Sequence, residues 1–327
     1  MAKVKAKTPK KTVNTKVTPK KPAPEKSGIQ QVSNPASKTM GRGNPSGINI
    51  AVPSGYSEPS KNLEDYCILI YGDSGSGKTS LANRFEGCVT VELEPKREGL
   101  RIRKVPINYV SILSYRDTGR RPWLELLSFM DNALEDDSVQ CIAIDIVSLA
   151  FEACKDQICW DRGIDHPNEA DDFGSTWGVI PQSFRDIMST FRREGKGLIF
   201  VEHATSEKIE DGVRVYYRTQ PTLSETKTGA FKVIKEMTDL ILYESVLDDG
   251  ERHIQIRPSN KIFCKCDIDD HFLTPDGEPL LGFKAGRSVD ETFDRLHQAF
   301  NNELHTDKAE GKGVIPRKKP DSKKKKR

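Results

Sequence analysis

An eight-residue segment limits what this chain can fold into more than any other feature of its sequence. Residues 72–79 read Gly-Asp-Ser-Gly-Ser-Gly-Lys-Thr and directly follow the apolar run 66–71. They fit the pattern G-x-x-x-x-G-K-[S/T], in which the glycines let the backbone curl until several N–H groups point at one anion. A helix that begins near the lysine adds its positive N-terminal end. The segment therefore predicts a buried strand, a phosphate-binding loop and a helix in succession.

The residue types in this loop predict binding of a nucleoside triphosphate with Mg²⁺. The Lys78 amine would neutralise the β- and γ-phosphates and serve catalysis, and the Thr79 hydroxyl would hold the metal ion. We therefore expect ATP and Mg²⁺ as cofactors. The predicted nucleotide-binding residues are those of the loop and the serine after it: Gly72, Asp73, Ser74, Gly75, Ser76, Gly77, Lys78, Thr79 and Ser80.

Charge divides the 327 residues into three parts. Residues 1–61 carry 12 Lys and Arg against two acids, and residues 307–327 carry 10 against three. Both arms are poor in apolar side chains, so they cannot bury enough surface to offset the entropy lost on ordering. Residues 62–306 hold the remaining charges, with a formal net charge of −14. We expect one acidic folded domain, 62–306, between two disordered basic tails, 1–61 and 307–327.

The basic tails predict an anionic partner, and nucleic acid is the leading interpretation. A purely solubilising role is the alternative, because no aromatic side chains are interleaved with the lysines to stack on bases. Residues 317–319 and 323–327 also resemble a nuclear-import signal, which is a minor alternative to a cytoplasmic location. No apolar run approaches the ~18 residues that span a bilayer, and nothing near the N-terminus resembles a signal peptide. We expect a cytoplasmic protein with no membrane partner.

The seven cysteines are scattered along the chain, which is typical of reduced thiols in a cytoplasm. Cys264 and Cys266 form a C-x-C pair, but no second pair stands at a metal-binding spacing. The sequence therefore does not favour a zinc site.

Apolar runs and helical patterns alternate through the middle of the chain. Strands are predicted at 88–93, 141–145 and 198–201, and helices at 80–86, 122–134 and 180–193. The alternation predicts right-handed βαβ units, and hence a mainly parallel sheet with helices on both faces. Further on, an Asp-Asp-Gly turn separates the strand-like runs 240–243 and 253–257, and Gly212 opens a second hairpin. We expect an α/β fold whose sheet has antiparallel strands at its C-terminal end.

Acidic and polar residues stand at the ends of the predicted strands, where a parallel sheet binds its ligands. Asp145 ends an apolar strand, and we expect it to hold Mg²⁺. Glu94 is the preferred group to orient or deprotonate the attacking water, and Glu92 is the alternative. A third interpretation is that both acids are simply exposed to solvent. His203 closes the strand predicted at 198–201, where it would contact the γ-phosphate and report hydrolysis. These three positions complete the predicted catalytic set.

The order of these features resembles the RecA-like P-loop ATPases: a phosphate loop, then an acid, an aspartate and a polar residue after the second, third and fourth strands. More narrowly, the chain resembles the phage-type nucleotide-binding proteins of that superfamily, which include single-strand annealing and recombination ATPases. The likeness covers about 66–266, and the segments 220–223, 238–241 and 257–261 suggest the phage group. The resemblance implies a RecA-like fold, ATP hydrolysis, and a role in DNA recombination, annealing or replication.

The resemblance also implies partners. Such ATPases assemble side by side, so that a basic residue of one subunit completes the nucleotide site of its neighbour. Lys261 and Lys265 are the leading candidates for this residue, and Lys227 and Arg257 are further ones. We expect a homo-oligomer that binds single-stranded DNA, together with replication or recombination proteins. The DNA-binding loops of the recombinase branch are not recognisable, and the predicted hairpin 207–219, of mixed charge, is the candidate for that role.

Two other functions remain open at this point. A P-loop small-molecule kinase would share the loop, although the basic lid of such enzymes has only a weak counterpart in Arg116, Arg120 and Arg121. A nucleotide-dependent binding module for DNA or a replication partner would not need Glu94. A GTPase is disfavoured, because residues 260–263 read Asn-Lys-Ile-Phe and lack the aspartate of the guanine-binding pattern Asn-Lys-x-Asp.

Overall fold

The structure, a computed structural model, describes residues 58–95, 99–212, 214–223, 226 and 229–304. The two predicted tails lie outside these ranges except for residues 58–61, and so does the candidate Lys227. The predicted folded domain is described from residue 62 to residue 304, with short gaps.

The described chain alternates strands and helices, as the sequence predicts. The strands are β1 Ile68–Gly72, β2 Cys88–Glu92, β3 Lys104–Pro106, β4 Cys141–Asp145, β5 Gly197–Asp211, β6 Arg214–Pro221, β7 Leu240–Val246, β8 Arg252–Gln255, β9 Lys265–Cys266 and β10 Gly282–Gly286. The helices are α1 Lys78–Ala82, α2 Tyr115–Thr118, α3 Pro122–Glu135, α4 Val147–Asp161, α5 Ser175–Arg193, α6 Ala230–Met237 and α7 Val289–Phe300.

One twisted sheet organises the domain. Its strands follow the order β10, β8, β7, β1, β5, β4, β2, β3. From β7 to β3 all neighbours are parallel, whereas β8, β9 and β10 join the β7 side as antiparallel strands. This arrangement confirms the predicted fold class, a RecA-like P-loop NTPase fold with a mainly parallel sheet and antiparallel strands at its C-terminal end.

Helices cover both faces of the sheet, so the central strands are buried throughout. Alternate residues such as Leu69 and Phe200 face a core shared with α3, α4, α5 and α6. The residues between them, such as Ile70 and Val201, face a second core shared with α1 and α7. Because side chains alternate along a strand, this division also fixes which polar residues at the strand ends point towards α1.

β5 is much longer than the sequence predicts. The prediction that this strand ends at Glu202 and His203 is wrong, because β5 continues to Asp211. After His203 it leaves the central sheet and pairs with β6 in a two-stranded antiparallel ribbon, from Ala204 opposite Pro221 onwards. The partner strand supplies the backbone hydrogen bonds that let a polar segment remain extended.

The helix after the phosphate loop is shorter than predicted. It was expected over 80–86, but α1 spans Lys78–Ala82. The chain then turns through Gly87, whose φ of 60° lies in the left-handed region, and enters β2. Among the residues that the structure describes, no helix combines the length and apolar character needed to cross a membrane.

Candidate active site

The predicted site residues converge where the parallel strands end. Gly72 at the end of β1 is level with His203 on β5 and with Glu244 on β7. Two strands further along, Glu92 is level with Asp145. The alternation along each strand places all four side chains on the α1 face of the sheet. The sheet therefore presents a row of ionisable groups beside the phosphate loop.

The phosphate loop has the backbone geometry that its glycines predict. Gly75 and Gly77 adopt φ values of 80° and 111°, which other residues adopt only under strain. At Gly72 the limit is contact rather than φ, since an added Cβ would lie 2.1 Å from the backbone oxygen of Glu244. The loop is thus curled tightly against the end of β7.

Two polar side chains of the loop fit a bound phosphate. Lys78 is buried, and its amine donates hydrogen bonds to the carbonyl oxygens of Gly72 at 3.0 Å and Asp73 at 2.7 Å. The Ser76 hydroxyl is also buried and has no hydrogen-bond partner within the described part of the chain. A buried hydroxyl without a partner is costly, and a phosphate oxygen would satisfy it.

Thr79 and Asp145 lie together, as predicted for the metal site. The Thr79 hydroxyl donates to Oδ2 of Asp145 at 2.6 Å, and Asp145 is almost fully buried. Hydroxyl and carboxylate oxygens are hard ligands, and Mg²⁺ is usually held by one or two protein groups together with phosphate oxygens and water. The donor set therefore fits Mg²⁺ beside a nucleotide, where it would neutralise phosphate charge.

The structure pairs His203 with Glu94 and pairs Glu92 with a different residue. Nε2 of His203 lies 3.7 Å from Oε2 of Glu94, and the two side chains are 34 % and 40 % exposed. Glu92 is buried, and its carboxylate pairs with the Lys104 amine on β3 at 2.9 Å. The exposure of Glu94 gives it the access to water that a catalytic base needs, whereas Glu92 is buried near the edge of the sheet.

Glu202 makes structural hydrogen bonds that its position in the sequence did not reveal. Its buried carboxylate points to the opposite face from His203 and accepts the backbone N–H groups of Ser148 at 2.9 Å and His203 at 2.8 Å. Burial raises the pKa of Glu202 to about 7, although these hydrogen bonds act in the opposite direction. Glu202 thereby joins the start of α4 to the point on β5 that carries His203.

Glu244 and Arg252 form a buried ion pair at the phosphate loop, and the sequence analysis missed both residues. Nη1 of Arg252 lies 3.0 Å from Oε1 of Glu244, which is 1 % exposed. Burial raises the pKa of Glu244 to about 7, although the charges of Arg252 and Lys78 act in the opposite direction. The available signal was the hairpin between β7 and β8, whose register sets Arg252 opposite Val246 and so on the face of Glu244.

Lys265, one of the two leading candidate trans-acting lysines, stands apart from the phosphate loop. β9, which carries Lys265, pairs with the first residues of β7, at the far end of that strand from Glu244. The Lys265 amine donates to the carbonyl oxygens of Lys235 at 3.0 Å and Thr238 at 2.5 Å, and it pairs with Asp267 at 2.7 Å. Lys261 is exposed in the segment before β9.

Comparisons with known proteins place this site in a family. Residues 64–266 match a family described as an AAA domain. Among solved structures, the chain is similar to the KaiC-like protein PH0186 from the hyperthermophilic archaeon Pyrococcus horikoshii OT3. The two are 13 % identical, with a TM-score of 0.34 over 60 % of this chain and 80 % of that one. No curated protein matches the chain.

Proposed function

Because the chain belongs to the AAA domain family of P-loop ATPases, we propose that it hydrolyses ATP with Mg²⁺. The observation that carries this proposal is the hydrogen bond between Thr79 and Asp145 at the base of the phosphate loop. It joins the two expected metal ligands although they are 66 residues apart in the sequence. A glycine-rich turn with no ligand would not need that contact.

The proposed mechanism follows from the positions of the side chains. The N–H groups of the loop and the Lys78 amine bind and orient the phosphates, so that the terminal phosphoryl group faces the ends of the strands. Thr79 and Asp145 would hold Mg²⁺, which would neutralise phosphate charge. Glu94 accepts a proton from the attacking water as the bond between the γ-phosphorus and the leaving ADP oxygen breaks. His203, whose Nε2 lies 3.7 Å from Oε2 of Glu94, would contact the γ-phosphate and report hydrolysis to the rest of the domain.

Loss of the loop lysine tests the ATPase proposal. We expect the purified full-length protein to hydrolyse ATP, and we expect Lys78→Ala to reduce the rate at least a hundredfold, because its amine is the main cation of the loop. Lys196→Ala is a matched control, since that amine binds carbonyl oxygens of Asp136 and Val139 at the opposite end of the sheet. Hydrolysis that survives Lys78→Ala would refute the assignment.

We further propose that the ATPase acts on single-stranded DNA in recombination, annealing or replication, in the host cytoplasm of a phage or virus. The support is the resemblance to phage-type ATPases, the basic composition of 1–61 and 307–327, and the ribbon of β5 and β6, which continues from the strand that carries His203. Single-stranded DNA should raise the ATPase rate at low salt. Equal rates with and without DNA would instead favour a small-molecule kinase or a protein partner.

We propose that the active form is a homo-oligomer in which Lys261 completes the site of the neighbouring subunit. Lys78→Ala and Lys261→Ala proteins should each be inactive alone. Mixed together, they should recover part of the activity, because some interfaces then combine an intact loop with an intact Lys261. A Lys261→Ala protein with full activity would exclude this role.

A further inference from the structure

A second cation, besides Lys78, lies directly on the phosphate loop. A Cβ placed on Gly77 would be 2.2 Å from Nη1 of Arg252 and 3.0 Å from its Nη2. The guanidinium therefore fills the space that the missing side chain of Gly77 leaves. Arg252 is the first residue of β8, so it reaches the loop of its own subunit from the β7–β8 hairpin.

The ion pair that holds Arg252 uses only part of its bonding capacity. Nη1 of Arg252 donates to Oε1 of Glu244 at 3.0 Å. The Nε of Arg252 and the Oε2 of Glu244 are both buried, and neither has a hydrogen-bond partner among the residues that the structure describes. Arginine–carboxylate pairs frequently form two parallel bonds. This pair instead leaves a buried donor, which is costly unless a further acceptor satisfies it.

The surroundings of Arg252 favour a phosphate as that acceptor. The side chain is only 16 % exposed, so bulk water is a poor alternative. A guanidinium is always charged and presents a planar fork of donors that matches phosphate oxygens. It already touches the glycine that precedes Lys78, in the loop whose backbone is shaped for an anion.

We propose that Arg252 is a nucleotide ligand that acts within its own subunit, contacting a phosphate of the nucleotide held by residues 72–79 while Glu244 keeps its guanidinium against Gly77. The inference rests on the proposed function, because it requires that the loop binds a nucleotide. It differs from the role proposed for Lys261, which would act on the neighbouring subunit.

The competing explanation is that Arg252 only braces the hairpin. A phosphate ligand and a brace differ in what their loss weakens. Loss of the ligand lowers the affinity for any compound that carries the phosphate chain, including inorganic tripolyphosphate. Loss of a brace lowers the melting temperature and leaves the affinity of the folded protein unchanged.

Equilibrium binding of ATP and of inorganic tripolyphosphate to the full-length protein tests the proposal. We expect Arg252→Ala to weaken both by roughly tenfold or more, the usual effect of losing a charge-assisted hydrogen bond. Arg252→Lys should lose most of the same affinity, because an ammonium lacks the planar fork. Lys284→Ala is the matched control: it breaks the neighbouring ion pair with Glu251, at 3.1 Å, and should bind both compounds like wild type.

A double variant keeps the test decisive if Arg252→Ala fails to fold. Arg252→Met combined with Glu244→Gln removes both buried charges, which is far less costly than leaving one unpaired. It should melt close to wild type and still bind tripolyphosphate roughly tenfold more weakly. Wild-type affinity in this folded variant would overturn the inference and leave the ATPase proposal intact. A wild-type protein that binds neither compound would overturn both.

Discussion

Single residues of the phosphate loop are constrained in different ways, and Gly72 and Gly75 show the contrast. At Gly72 the backbone oxygen of Glu244 occupies the place of a side chain, 2.1 Å from an ideal Cβ. At Gly75 there is open space, and only the positive φ disfavours a side chain. Glycine is therefore required at Gly72 because there is no space for a side chain, and at Gly75 because of the backbone conformation.

Alanine substitutions should separate these two requirements. We expect Gly72→Ala to lower the free energy of unfolding by about 3 kcal/mol, because β7 or the loop must move to admit the methyl group. Gly75→Ala should cost only about 1 kcal/mol, for the left-handed backbone. Urea denaturation of the two variants measures both values, and equal losses would contradict the contact at Gly72.

The two glutamates near the site should respond differently to loss of charge. Glu94→Gln should reduce kcat at least a hundredfold with ATP affinity retained, since a general base contributes about 10²–10⁴-fold. Glu92→Gln should retain hydrolysis and lose stability instead, because it leaves the partly buried Lys104 amine without its carboxylate partner. Steady-state kinetics, nucleotide binding and thermal unfolding of both variants provide the check. Normal turnover in Glu94→Gln would remove it from the mechanism.

Among the elements, the ribbon of β5 and β6 continues directly from the strand that carries His203. Its exposed face carries Val215 and Tyr217, with side chains 59 % and 50 % exposed. The opposite face is anchored by Arg218, whose guanidinium lies over the Phe263 ring at 5.5 Å. One face of the ribbon is thus fixed to the domain, and the other carries exposed apolar and aromatic side chains.

Tyr217 provides a test of this ribbon as a DNA-binding element. Stacking of a base on an aromatic ring contributes about 1–3 kcal/mol, so Tyr217→Ala should weaken binding of single-stranded DNA by roughly tenfold. Tyr217→Phe keeps the ring and should bind like wild type. Fluorescence anisotropy with a labelled oligonucleotide measures both. Unchanged affinity in Tyr217→Ala would place the DNA contact elsewhere.

Elements with a strong local signal were predictable from the sequence. The loop at 72–79, β4 and the hairpin of β7 and β8 each carry a motif, an unbroken apolar run or a turn sequence. The edge strands β3 and β9 escaped prediction because two or three residues cannot display a period. The proximity of Thr79 and Asp145 was also predictable, since each follows a recognisable strand or motif.

Other parts of the site depend on contacts between segments that are distant in the sequence. The partners of Glu202 and the approach of Arg252 to Gly77 arise only after β5, β7 and β1 are aligned in register. No local pattern contains that register. The sequence predicted a hairpin over 207–219, but it did not predict that the first strand of this hairpin is continuous with the strand that carries His203.

For the whole molecule, buried titratable groups limit stability on both sides of neutral pH. Burial raises the pKa of Glu202 to about 7 and lowers that of His253 to about 4. The Glu202 contribution is complete below pH 4.5 and is lost as pH rises through 7, because only the unfolded carboxyl ionises easily in that range. The His253 contribution is complete above pH 6.5 and is lost as pH falls through 4, because only the unfolded imidazole gains a proton easily.

Substitution of Glu202 should remove its share of the loss of stability that occurs as pH rises through 7. We expect the free energy of unfolding of Glu202→Gln, relative to wild type, to increase by about 2 kcal/mol between pH 5 and pH 8, given 1.36 kcal/mol for each pKa unit. Urea unfolding at the two pH values measures the difference. A difference that does not change with pH would show that Glu202 ionises as easily in the folded protein as in the unfolded chain.

The distribution of charge along the chain predicts different roles for the folded domain and the tails in DNA binding. Residues 62–306 are acidic and residues 1–61 and 307–327 are basic, so the tails should supply most contacts to DNA phosphates. Removal of both tails should weaken DNA binding and flatten the dependence of log affinity on log salt concentration, because fewer counterions are released. An unchanged salt slope would limit the tails to solubility.

The length of β5 has a mechanical consequence for this molecule. One continuous strand joins His203, beside the phosphate loop, to Asp211 at the tip of the ribbon. Eight residues of extended chain span about 26 Å at ~3.3 Å per residue. A rotation of about 10° at His203 would therefore displace the tip by roughly 4–5 Å over that length. The ribbon would therefore convert a small rotation beside the phosphate loop into a larger displacement of its tip.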